Sequence, residues 1–171
     1  MQEKKCCFIG HRETPCTPEL KGKLKSVIKE LIGQKSVTVF LFGSKSRFDD
    51  LCLETVTELK KEYPDVKRIY VRAVYPEISE RYERYLLTLY DETYMPERID
   101  NAGRASYVER NREMIDRSNV MVCYYDKNYA LNSLRKRKSG TKLAYEYAEK
   151  KGVEIVNLAD GKNTKEPRRK Q

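Results

Sequence analysis

The chain is poor in the residues that most enzyme and metal signatures need. It has one histidine in 171 residues, no C-x-x-C pair among its five cysteines, no internal repeat and no long apolar run. A lone histidine with scattered thiols excludes a Cys/His zinc site of regular spacing, leaving only an improvised one. The same scarcity leaves no Ser-His-Asp or Cys-His arrangement to argue for. The cysteine count is odd, and Cys6, Cys7 and Cys123 fall inside apolar runs. They read as small apolar side chains in a reduced, cytoplasmic protein rather than as a disulfide frame. No segment approaches the roughly 20 apolar residues of a membrane-spanning helix. The apolar run behind Met1-Gln2-Glu3-Lys4-Lys5 is too short for a signal peptide, so neither a leader nor membrane insertion is expected.

Charge is plentiful but uneven. Against 26 acidic residues stand 35 Lys and Arg, a formal net charge of +9. Arg135, Lys136, Arg137 and Lys138 supply four cations, and the last ten residues supply five against one anion. One loop and one tail therefore carry most of the excess. The expectation is a near-neutral folded domain over 1–159 followed by a basic, disordered tail over 160–171, with nucleic acid as a partner only through those two runs.

Strand and helix patterns alternate along the domain. Apolar runs at 5–9, 37–42, 68–74, 119–125 and 153–158 predict strands, and 92–95 a short further one. Helical periodicity covers 18–33 behind a Thr17 cap and Pro18, then 48–63, 79–89, 107–117 and 142–151. Few of the runs show the period of two that marks a half-exposed sheet. The fold class that follows is α/β, a Rossmann-like three-layer architecture with a mainly parallel sheet. In such a sheet every strand's C-terminal end points to one edge, where ligands bind.

The polar and glycine residues gather at that edge. Gly10, His11 and Arg12 follow the first strand, and Gly43 and Ser44 the second, with Asp49 in the next helix's first turn. Asp126 follows the fifth run, and Ser139-Gly140-Thr141 opens the last helix. Free N–H groups and the helix dipole make such an opening an anion site, worth roughly 0.3–1 kcal/mol per charge interaction. Each feature also has an ordinary reading: strand-ending glycines, a tight turn, a helix cap, solvated helix positions for Arg110 and Asn111. Their convergence from distant loops is what points to a ligand.

The order G-H-R, a glycine-led turn with Asp a few residues on, then R-N-x-x-M-I-D-x-S, an apolar strand and S-G-T-x-x-A-x-x-x-A resembles the SLOG superfamily. That group joins the DNA-processing protein A (Smf) family and the Lonely Guy phosphoribohydrolases, and the resemblance is nearest to its small bacterial YpsA-like branch. It runs from about Cys6 to Leu158. It implies a nucleotide or nucleotide-derived ligand with phosphate on Ser139-Gly140-Thr141. Arg110 would reach the ligand or brace that turn, Asn111 would fix neighbouring loops, and His11 and Arg12 would line the cleft. Two departures stand out. The family's second glycine motif is here Gly43-Ser44-Lys45-Ser46-Arg47-Phe48-Asp49, keeping only the first Gly and the Asp. Where the phosphoribohydrolases carry a Glu three residues past the Thr, this chain has Ala144, with Glu146 on another helix face.

Without that carboxylate, only His11, Asp49 and Asp126 remain as acid–base candidates. The leading expectation is a binding or sensing protein for an ADP-ribose-, NAD- or cyclic-nucleotide-like ligand, with no obligatory cofactor, no metal and no assigned catalytic residue. The alternatives are a nucleotide-processing N-glycosidic hydrolase or transferase, and a DNA-binding protein of the DNA-processing type. The resemblance also carries an expectation of self-association, to be sought around residues 79–107. Of the thirteen tyrosines, one or two near the cleft could stack on a base, the rest being core or half-buried.

Overall fold

A computed structural model describes residues 2–43, 45–128 and 139–159. Six strands form one sheet, every neighbouring pair parallel: β1 (Lys4–Gly10), β2 (Val37–Phe42), β3 (Lys67–Val71), β4 (Glu92–Tyr94), β5 (Val120–Tyr124) and β6 (Glu154–Asn157). Between them run α1 (Pro18–Gly33), α2 (Arg47–Leu59), α3 (Glu80–Leu89), α4 (Ser106–Asp116) and α5 (Gly140–Lys151). The Rossmann-like three-layer α/β expectation holds, and the sheet is wholly parallel where a mainly parallel one was expected.

Side-chain alternation divides the central strands between two cores. Cys6, Phe8, Phe40, Phe42, Val120 and Val122 face one, with Leu24, Ile28, Phe48 and Val56 from α1 and α2. Cys7, Ile9, Val39, Leu41, Met121 and Cys123 face the other, with Met114, Ile115, Ala144 and Ala148 from α4 and α5. Strands buried on both faces read as continuous apolar runs, which is why the sequence showed no period of two. Each fully buried large side chain contributes about 1.5–3 kcal/mol.

The strand order is β4-β3-β2-β1-β5-β6. From β1 the chain steps outward through β2, β3 and β4, then returns to lay β5 on β1's other side. Right-handed crossovers carry α1 to α3 onto one face and, after the reversal, α4 and α5 onto the other. Side-chain caps start four of the helices: Thr17, Ser46, Ser79 and Ser139 each accept a backbone N–H from three residues on. Gly152, at φ 72°, ends α5 in the left-handed region where glycine is strain-free.

Two boundaries differ from the periodicity. α2 ends at Leu59, and the chain to Pro64 continues in tighter turns, with Lys61 and Glu62 donating to carbonyls three residues back. β3 ends at Val71 because its outer partner β4 is three residues long. One more ladder bond, Arg72 N–H to the Tyr94 carbonyl at 2.8 Å, extends the pairing. No helix among the described residues is long and apolar enough to cross a membrane.

Candidate functional site

The strand order reverses at β1, where the C-terminal ends of β1 and β5 lie side by side, the position where parallel α/β sheets take ligands. Two of the expected residues meet there. His11 is buried, and its Nε2 accepts the Asp126 backbone N–H at 3.0 Å. An accepting Nε2 means a neutral ring with its proton on Nδ1. Burial pushes the imidazole's pKa down, partly offset by the Asp126 contact. The His11 N–H donates to the Tyr124 carbonyl at 3.4 Å, and its own carbonyl accepts the Thr14 hydroxyl at 2.8 Å. His11 thus ties the β1 exit to the β5 exit. Arg12 beside it is exposed, as is Asp126, whose Oδ1 accepts the Asn128 N–H in a local turn.

From the other side Asn157 secures the β5 exit. Its Oδ1 accepts the Tyr125 N–H at 3.0 Å, and its Nδ2 donates to the Tyr125 carbonyl at 2.9 Å. The Tyr125 ring lies 4.7 Å from that of Tyr145, in the second turn of α5. Asn157 was not anticipated as a site residue. The signal for it was a single amide side chain within the last apolar strand.

A second group gathers at the β2 exit. Gly43 donates its N–H to Asp49 Oδ2 at 3.1 Å, and its carbonyl accepts from Arg110 Nη1. Arg110 Nε donates to Asn111 Oδ1 at 3.0 Å, and the guanidinium lies 5.6 Å from the Tyr107 ring centre. Arg110 is 4% exposed. Burial lowers its pKa, against the opposing pull of the Asp49 carboxylate. Starting from α4 on one face, Arg110 therefore crosses over the end of β2 to brace the β2–α2 turn. Where the resemblance implies a brace for the Ser139-Gly140-Thr141 turn, the hydrogen bonds it makes here go to Gly43 and Asn111.

The two glycines serve the protein's own packing. A β-carbon on Gly10 would stand 2.5 Å from Cβ and Cγ of Phe48. One on Gly43 would stand 2.6 Å from Arg110 Cδ and 2.8 Å from Met114 Sδ. Arg47 N–H to the Arg12 carbonyl, at 3.1 Å, joins the β1 and β2 exits.

The third group is the start of α5. Ser139 Oγ accepts the Lys142 N–H at 3.1 Å and its carbonyl the Leu143 N–H at 3.0 Å. That leaves the Gly140 and Thr141 N–H groups without a helical acceptor. Thr141 is buried, and among the described residues nothing beyond the helix's own backbone and the chain neighbours lies within 4 Å of where a Gly140 side chain would begin. Ser44, Arg135, Lys136, Arg137, Lys138 and the tail over 160–171 lie outside the described residues. Among the described residues no His, Cys, Asp and Glu side chains cluster as a metal site.

No protein-family profile matches the chain, and no curated protein matches it.

Proposed function

We propose that the protein binds a small nucleotide or nucleotide-derived ligand of the ADP-ribose, NAD or cyclic-nucleotide kind at the C-terminal edge of its sheet. The phosphate lies on the opening turn of α5. The observation that carries this reading is the switch point itself. The strand order reverses at β1, beside β5, and the helix that follows β5 starts with two N–H groups its own carbonyls do not use and a Gly140 that no described residue beyond its own helix crowds. The resemblance to the SLOG superfamily, read from G-H-R, R-N-x-x-M-I-D and S-G-T, points to the same turn.

Binding is favoured over bond cleavage because two of the three acid–base candidates are committed to the scaffold. The Nε2 acceptor of His11 is taken by the Asp126 N–H, and Asp49 is buried on the Gly43 N–H.

Gly140→Asp tests the reading. A carboxylate in the first turn suits the helix dipole, so the fold is expected to keep its stability, while the negative charge excludes a phosphate. The expected result is a nucleotide released on denaturing the wild-type protein, identified by mass spectrometry, and absent from Gly140→Asp. The reading falls if a titrated panel of ADP-ribose, NAD and cyclic nucleotides binds neither protein, or binds both alike.

A further inference from the structure

Along the same edge, away from β5, lies a cavity of about 560 Å³ that the site described above does not use. Its walls are the segments that leave the two outer strands. Val74 and Pro76 follow β3, Met95, Ile99 and Asp100 follow β4, and Ser106 opens α4. Both strands run parallel to the rest, so their exits share the rim on which parallel sheets take ligands. Local hydrogen bonds hold the walls in place. Arg72 N–H to the Tyr94 carbonyl, at 2.8 Å, pins the two segments together where they leave the sheet. Ala102 N–H to the Ile99 carbonyl at 2.8 Å turns the chain, and the Ser106 hydroxyl donates to the Gly103 carbonyl at 2.6 Å.

The chemistry of the lining is mixed in a particular way. Val74, Pro76, Met95 and Ile99 make most of it apolar. Val74 is 43% exposed, and Tyr75, between two lining residues, is 69% exposed. Apolar surface left open at a cavity of this size is what a small organic molecule covers. Asp100 is the one charged residue on the wall, and its carboxylate enters no hydrogen bond or ion pair among the described residues. A carboxylate accepts hydrogen bonds and repels a phosphate. The cavity therefore suits an uncharged apolar body that carries an N–H donor, and an amino-substituted nucleobase has that chemistry.

Contacts between α4 and α5 set how far the cavity stands from the turn that opens α5. The Arg112 guanidinium lies 5.2 Å from the Tyr147 ring centre, and Lys151 pairs with Asp116 at 3.8 Å. Each pair is 35 positions apart, so the helices run parallel and in step. Carried back to the rim, the same offset sets Ser106 level with Thr141. Packed helix axes lie about 8–10 Å apart. A phosphate on α5 and a base in the cavity are then two ends of one ligand that crosses the start of α4. We infer that the cavity is the base subsite: an adenine-type base lies against Val74, Met95 and Ile99 and donates its amino N–H to Asp100. The inference deepens the nucleotide reading above and rests on it.

The test titrates the full ¹⁵N-labelled chain with adenosine, which has the base and no phosphate, and separately with ADP-ribose. The reporters are the backbone amides of Asn101, Gly103 and Ser106 at the cavity and of Gly140 and Thr141 at α5. Adenosine is expected to move the cavity amides saturably and leave the α5 amides still, and ADP-ribose to move both sets. Purine riboside, which lacks the amino group, is expected to bind wild type about tenfold more weakly than adenosine does, and Asp100→Ala to bind the two alike. Val74→Trp, at an exposed position, fills the cavity from its mouth; it is expected to keep the wild-type Tm and lose the adenosine response. Cavity amides that ignore both ligands overturn the inference, even where ADP-ribose moves Gly140 and the α5 reading stands. Cavity amides that respond while α5 stays silent to ADP-ribose support the base subsite and count against phosphate on α5. Equal binding of adenosine and purine riboside to wild type overturns recognition through Asp100. A folded Val74→Trp that takes adenosine as wild type does overturns the subsite as a whole.

Discussion

Alanine at Gly43 separates two reasons for a glycine at a strand end: clearance for a ligand, or clearance for the protein's own arginine. The added β-carbon would meet Arg110 Cδ at 2.6 Å, Met114 Sδ at 2.8 Å and Arg110 Nε at 2.9 Å, all well inside the roughly 3.5–4.0 Å of relaxed carbon contacts. Met114 is 0% and Arg110 4% exposed, so neither can swing into water. Arg110 must withdraw, losing its bond to the Gly43 carbonyl and straining the 3.0 Å bond to Asn111. Overpacking costs roughly 1–3 kcal/mol. Loss of a charged hydrogen bond adds roughly 1.5–3 kcal/mol. No backbone penalty enters, because Gly43 is not among the positive-φ glycines. The sum, about 3–6 kcal/mol, lowers Tm by on the order of 10 °C in a chain of this size. Thermal unfolding followed by circular dichroism measures it. Gly22→Ala, in α1 with nothing among the described residues crowding an added β-carbon, is the control and is expected to unfold slightly higher than wild type. A Gly43→Ala protein that melts within a degree or two of wild type would refute the packing account and return the glycine to the ligand.

The chain's one histidine gives a clean pH readout. Because burial favours the neutral imidazole, His11 contributes its stability in full above about pH 6.5, the unfolded value, and loses it as pH falls through the lower folded pKa. The ring's NMR titration should therefore fall below the ordinary histidine value, with stability declining over the same range; a pKa at or above that value contradicts the Asp126 N–H to Nε2 bond. Thiol labelling checks the core. Cys6, Cys7, Cys52 and Cys123 are buried and Cys16 exposed. Burial pushes the Cys7 thiol up to about 12 and the other three buried thiols upward as well. A maleimide should add once to the native protein and to the other four thiols only after denaturation; rapid multiple labelling would show the sheet's two cores to be open.

Local chemistry is what the sequence displays, and local chemistry was enough for the layers. Apolar runs alternating with 3.6-residue periodicity define βα units whether or not their neighbours are known. Thr17-Pro18 and Ser139-Gly140-Thr141 mark helix starts because a cap works within a few residues of itself. From these alone came the parallel α/β class and the edge on which polar residues collect. The boundaries at Leu59 and Val71 escaped, since one depends on tight turns continuing a helix and the other on the length of the strand alongside.

What tertiary structure alone decided is which of those edge residues meet, and why. His11 finds Asp126 across 115 positions and Arg110 finds Gly43 across 67, distances over which no periodicity carries information. Strand order made β1 central and set the switch point at its junction with β5. Packing filled the space above Gly10 with Phe48 and that above Gly43 with Arg110. A glycine's sequence says only that a side chain is missing; whether a ligand or the chain's own side chain uses the gap is settled by what the fold brings there. The same holds for arginine. Arg68 lies in β3 and Arg72 directly after it, and only their surroundings leave the first matched by a carboxylate and the second, among the described residues, with Nε and Nη1 buried and without a hydrogen-bond partner.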